Sequence, residues 1–329
     1  MSLTRKLTTL NKLYTDYKVK KGYYSKSTNK DFVVVMYHGI DMVQSTRYNP
    51  RFFSKANFEE QVMLMKKHCN ILTHEDLVSG NRAKDKLNVV ITFDDGYLNN
   101  YKYALPILEK YNAHAYFFIT GVDTMQHKVL WADAVDIVSK HAAEHSRITV
   151  SGVDFILRKG NFVAEQGGEK LKLFIQRSKA QGYDEKAQLV DEVLRVFDIS
   201  KHPELDDYWK LMNAEDIAQT AERKNITIGS HGFYHNDLGS LEPEDAVAEV
   251  LQSRAYLQGI TGKEIDTVAF PNGSYTPQLN TTLFDLGFKV QFLVNHWHEA
   301  SKDVAYVYDR LGLYPFMGNT AQIFHQIIN

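Results

Sequence analysis

From Asp31 onward, short apolar runs alternate with stretches whose apolar positions recur three or four apart. The runs are FVVVMY (32–37), NVVITF (88–93), HAYFFIT (114–120), ITIGS (226–230), DTVAF (266–270), KVQFLV (289–294) and VAYVYDRLGL (304–313). The periodic stretches fall at about 55–69, 99–111, 213–224, 243–259, 277–286 and 319–328, and predict helices. Continuous Val, Ile and Phe runs separated by helices predict an α/β fold with a parallel sheet covered on both faces. Seven such strands suffice to curl the sheet, so the expectation is a distorted (β/α)7-type barrel rather than an open doubly wound sheet. The rhythm breaks between about 123 and 212, where a hairpin-like segment, ITVSGVDFILRKGNFVAE, precedes helical runs around 168–180 and 184–196. This predicts an α+β insertion after the third strand, placed to cover or shape a site at the carboxyl ends of the strands.

Residues 1–30 have a different character. They carry eight Lys or Arg against one acid, Asp16, with Leu3, Leu7, Leu10, Tyr14 and Tyr17 at helical spacing. This is a basic amphipathic helix pattern, which either covers one face of the main body at 31–329 or attaches peripherally to an anionic membrane surface. Elsewhere the composition is that of an ordinary globular chain, 44% hydrophobic and 24% charged, with a net charge of −2. That balance gives no reason to expect a nucleic acid partner, which requires a basic face. A single cysteine, Cys69, read within a helix, excludes an internal disulfide or a multi-cysteine metal site. With no run of signal-peptide or membrane-spanning length, the expected location is the cytoplasm.

Two carboxylates, Asp94 and Asp95, follow the second apolar run directly and precede Gly96. Side chains alternate along a strand, so adjacent acids share one site only where the strand is ending in a turn, which Gly96 permits. Two acids held together in a half-buried place call for a cation or a raised pKa. An Asp-Asp-Gly is, on its own, most often just a turn. His231 and His235 follow the fourth apolar run, ITIGS, and in turn or helical geometry a four-residue separation brings two imidazoles onto one side. Both pairs end parallel strands and therefore lie on the same face of the sheet.

The segments TFDDG at 92–96 and SHGFYH at 230–235 resemble the polysaccharide deacetylases of the NodB-homology type, carbohydrate esterase family 4. VVVMYHGI at 33–40 is similar to that family's first strand, and VAFPNGSY at 268–275 to its Pro/Gly substrate loop. LWADAV at 130–135, the helical insertion and YWKLMNAEDI at 208–217 resemble the branch linked to bacterial O-antigen or exopolysaccharide synthesis. The resemblance implies a metal-dependent hydrolase that removes the N-acetyl group from an amino sugar of a glycan or glycan precursor. Asp94 would be the base for a metal-bound water, and Asp95, His231 and His235 the metal ligands. Zinc suits two imidazoles and one carboxylate, with cobalt, nickel or iron as other occupants.

Further roles are expected around this set. The Pro271-Asn272-Gly273 turn could offer backbone N–H groups to a developing oxyanion, with Asn272, Tyr275 and His38 as substrate contacts. The chain also departs from the family pattern. An arginine that orients the base in many members is replaced by Ala269, Gly232 stands where Ser or Thr is usual, and the general-acid histidine of a Leu-x-His setting has no clear counterpart. A proton donor for the leaving amine is sought first at His298, then His296, then His38. The missing arginine and acid motivate another class of function, a metal-containing carbohydrate-binding protein without turnover. A related O-deacetylase or cyclic amide hydrolase would use the same metal chemistry.

Overall fold

The computed structural model describes residues 31–43, 46, 48–177, 182–294, 298 and 304–328, together with Tyr17. The reading of 1–30 as a basic helix lies outside the described residues, apart from Tyr17. Seven parallel staves follow one another around a curled sheet. They are β1 (Phe32–Tyr37), β2 (Asn88–Phe93), β3 (Ala115–Ile119), β4 (Ile226–Ser230), β5 (Thr267–Ala269), β6 (Val290–Phe292) and a seventh built from two pieces, β7 (Val307–Tyr308) and β8 (Leu311–Gly312). β7 pairs with β6 and β8 pairs with β1, so one broken stave joins the two edges of the sheet. The predicted barrel is present, and its closure rests on the last strand-like run, which the sequence pattern reads as continuous.

Alternation of side chains builds the two cores. Val33, Val35, Tyr37, Val89, Ile91, Phe93, Ala115 and Phe117 pack with Phe58, Val62, Met65, Leu105 and Phe324 of the surrounding helices. The opposite parity, Val34, Val90, Tyr116, Phe118, Val290 and Phe292, clusters with itself and fills the barrel, with Leu72 and Leu77 alongside. Every residue of β2 is buried, as a strand covered on both faces must be.

Between β3 and β4 the chain makes the expected insertion, with its own apolar cluster around Val135, Val138, Phe155, Leu157, Val190 and Val193. The hairpin-like segment is two hairpins in series, a three-stranded antiparallel sheet of Arg147–Val150, Val153–Arg158 and Asn161–Ala164. Each turn has two residues of positive φ, Ser151-Gly152 and Lys159-Gly160, the backbone that a two-residue hairpin loop needs. Helices Trp131–His141 and Tyr183–Val196 pack beside it. The helix expected over 99–111 begins as a π-helical turn, Asn100–Ala104, before Leu105–Lys110. Cys69 is not inside a helix but caps Lys55–His68, and burial pushes its thiol up to about 12, which leaves it inert. No helix among the described residues is long and apolar enough to cross a membrane.

Candidate metal centre

The backbone at the end of β2 turns sharply. Asp95 and Gly96 both adopt positive φ, 73° and 80°, so the strand stops and the two carboxylates are swung to the same region. A side chain at Gly96 would also press on Ile119, 3.1 Å from an added Cβ. At the end of β4, Gly232 (φ 67°) and His235 (φ 55°) fold GFYH into a tight loop. An added Cβ at Gly232 would lie 2.8 Å from the Glu249 carboxylate, which explains why neither Ser nor Thr stands here. That buried carboxylate accepts the N–H of Tyr234 at 3.0 Å and the side-chain amide of Asn236 at 2.8 Å, holding the loop from helix Pro243–Thr261.

These turns bring three donors together. The Oδ1 of Asp95 lies 3.4 Å from His231 Nε2 and 3.2 Å from His235 Nε2. The three ligand atoms fall within 4.8 Å of one another. Ligand atoms about 2.0–2.1 Å from a tetrahedral ion are roughly 3.3–3.4 Å apart, so the spacing fits a single divalent cation. Tautomer supports the same reading. His231 Nδ1 donates to the carbonyl of Ala269 at 2.8 Å, which leaves the Nε2 lone pair directed to the cluster. Ala269, at the position of the missing family arginine, thus contributes its carbonyl.

Electrostatics point the same way. Burial alone would push both carboxyls up, but in Asp95 the hydrogen bonds to His231 and His235 and the Arg51 charge outweigh it and hold the group well below the usual range. Burial works against charge on His231 as well, yet Asp94 and Asp95 raise it above its ordinary value. The site therefore stabilises positive charge at this spot, as a bound cation would require.

Asp94 has a different partner. Arg310, in the break between β7 and β8, grips it bidentately, Nη1 to Oδ1 at 2.6 Å and Nη2 to Oδ2 at 2.8 Å. The guanidinium is fully buried, and its Nε donates to the Leu293 carbonyl at 3.1 Å. Burial pushes Asp94 up, but Arg310 and then His231 more than offset this and hold it below the usual carboxylate range. Its Oδ2 lies 3.9 Å from His231 Nε2, so the acid borders the ligand cluster without belonging to it. Sequence reading missed Arg310. The available signal was a charged residue inside the apolar run VAYVYDRLGL, since an arginine buried in a barrel stave requires a carboxylate partner.

Arg51 is the other unforeseen cation. Its Nη1 donates to Asp95 Oδ2 at 3.1 Å, and its Nη2 to Tyr97 Oη at 2.6 Å and Asp133 Oδ1 at 2.7 Å. Tyr97, pushed well above its ordinary range by burial, keeps its proton and donates to Asp133 Oδ2 at 2.5 Å. Asp133 belongs to helix Trp131–His141, so the insertion braces the Asp95 carboxylate through Arg51. From helix Tyr183–Val196, Lys186 Nζ donates to the His235 carbonyl at 3.0 Å and Asn236 Oδ1 at 2.8 Å.

The remaining expected residues are distributed unevenly. His38 follows β1 and is buried. Burial, followed by the Arg51 charge, lowers its pKa to about 4, with Asp95 and Asp94 opposing, which sets the imidazole in the field of the site. Its Nδ1 has no hydrogen-bond partner among the described residues. His298 is exposed and stands against Tyr275, with ring centroids 5.2 Å apart. His296 lies outside the described residues. In the Pro271–Gly273 turn, the Gly273 N–H donates to Phe270 and that of Ser274 to Pro271, so both are spent within the turn. Gly273 packs on Val294, and Asn272 donates to Asp237 at 2.7 Å.

The family model described as polysaccharide deacetylase matches residues 81–158 and 168–291, more than half of the chain. YxkH of Bacillus subtilis (strain 168), whose name assigns it to the same family, is 33% identical over 94 residues, 27% of this chain and 31% of that protein's length. Two solved structures share the fold. The deacetylase PplD of Streptococcus pyogenes, in complex with acetate, has 17% identity and a TM-score of 0.53, covering 91% of this chain and 98% of its own. IcaB from Ammonifex degensii has 16% identity and a TM-score of 0.55, covering 93% and 100%. With its TFDDG and SHGFYH segments brought together at the mouth of a seven-stave barrel, the chain belongs to the polysaccharide deacetylase family.

Proposed function

We propose that the protein removes the N-acetyl group from an amino sugar of a bacterial glycan or glycan precursor, using a divalent cation held by Asp95, His231 and His235. The observation that carries this reading is the Asp95, His231 and His235 spacing with a fourth polar group, Asp94, beside it but outside the ligand set. Asp94 also partners the buried Arg310, so it is its place beside the ligand set, 3.9 Å from His231 Nε2, that supports a role as base. When bound, the cation supplies Lewis acidity, polarising the acetyl carbonyl and lowering the pKa of water, and zinc is the ion that best suits these donors.

The side chains divide the remaining work. Asp94 accepts the proton of the attacking water, and the Arg310 fork fixes the plane of its carboxylate. Arg310 thereby replaces the loop arginine that Ala269 lacks. For the proton delivered to the leaving amine we prefer His38, buried in the field of Asp94 and Asp95, to the exposed His298; its imidazole, held neutral by burial, must first be protonated within the site. The two departures that favoured a binding protein without turnover thus have substitutes in the fold, which supports the enzyme reading.

Metal removal is the direct test. Dialysis against a chelator should abolish acetate release from N-acetylated sugars, and one equivalent of zinc, cobalt or nickel should restore it. Activity that survives with no ion detectable by elemental analysis would end the proposal. His38→Ala should lower kcat by about 10²-fold or more while the metal content stays at one per chain. A wild-type rate in that variant would return the role to His298 or His296.

A further inference from the structure

The loop that follows β8 carries two aromatic residues that the chemistry above leaves unused. Phe316 is 78% exposed, the most exposed of the large apolar side chains described. It is not isolated. Its ring stacks on Tyr314 with centroids 5.2 Å apart and planes 9° from parallel, and Tyr314 in turn stacks on His38 at 6.2 Å and 30°. The inner members of this ladder feel the catalytic charges. The Tyr314 hydroxyl is raised chiefly by burial, with Arg51, Asp94, Arg310 and Asp95 all acting on it. The ladder therefore starts at the edge of the site and ends in solvent.

The loop is built to present these rings. An added Cβ at Gly312 would meet the Tyr314 ring at 2.9 Å, so glycine lets the tyrosine fold back onto its own strand. Pro315, between the two aromatics in sequence, is buried and restricts the backbone there. Leaving a phenylalanine face in water gains nothing for folding, and a flat aromatic face contiguous with a sugar-processing site matches the C–H face of a pyranose ring.

We propose that Phe316, backed by Tyr314, is a binding platform for a sugar residue next to the one that loses its acetyl group. This rests on the deacetylase reading given above. Chito-oligosaccharides from N-acetylglucosamine to its pentamer serve as the probe series, with acetate release measured for the zinc-supplemented wild type, Phe316→Ala and Phe316→Trp. The wild type should show a higher kcat/KM on the pentamer than on the monomer. Phe316→Ala should lower the pentamer-to-monomer ratio about two- to tenfold, and Phe316→Trp should keep it. A wild type indifferent to length, or an alanine variant that loses the same factor on both, would overturn the platform. Calorimetric titration of the pentamer into metal-stripped wild type and Phe316→Ala reads the platform without turnover. Pentamer binding weakened by the substitution, with no acetate released from any length, would instead sink the deacetylase reading and keep the sugar site.

Discussion

Asp94→Asn should lower kcat by about 10²- to 10⁴-fold without loss of metal, because the amide cannot take a proton from water while Asp95, His231 and His235 remain in place. The measurement is acetate release alongside elemental analysis of the same sample. Asparagine keeps one oxygen for Arg310 but turns an NH2 group toward a guanidinium that both carboxylate oxygens now engage at 2.6 and 2.8 Å. Some loss of Tm is therefore expected as well, and the rate must be read on protein shown to be folded. A folded, metal-bearing Asp94→Asn protein that turns over at the wild-type rate would remove the base from the scheme.

Arg310→Ala carries the largest expected stability effect. It strands a carboxylate of which 5% is exposed, and breaking a buried pair by removing one partner costs about 3–5 kcal/mol. The same change deletes the hydrogen bond to the Leu293 carbonyl next to β6, and a guanidinium that helps join the barrel edges. Chemical denaturation should show the loss as a lower midpoint. Arg310→Ala/Asp94→Asn should recover part of it, since the double variant no longer buries an unpaired charge. If Arg310→Ala unfolds at the wild-type midpoint, the bidentate pair does not have the role assigned to it.

Most of the barrel was legible in the sequence because buried parallel strands must be apolar on both faces. Runs such as NVVITF and ITIGS coincide with β2 and β4 end to end. The final run was harder. Its apolar pattern conceals a break at Asp309 and Arg310, and a hydrophobicity pattern cannot say that one arginine is turned inward by a partner 216 residues away in the chain. Asp94, Asp95, His231 and His235 could be read as one candidate cluster because each pair is local and each ends a strand, and the fold does bring the four side chains together. Arg51 and Arg310 were not, since a cation's partner is fixed only by the three-dimensional path of the chain. For the acid, the order of the family's motifs put His298 ahead of His38, and that order carries no sign that the pairing of β1 with β2 sets His38 in the field of Asp94 and Asp95.

The insertion grips the cation site at two points. One contact runs from Asp133 through Arg51 to a ligand carboxylate, and the other from Lys186 to the backbone of a ligand imidazole. Any tilt of that subassembly against the barrel would loosen two of three ligands at once. If a cation binds here as proposed, its affinity would gauge how firmly the inserted segment is seated, and replacing that segment with a short linker would remove both contacts.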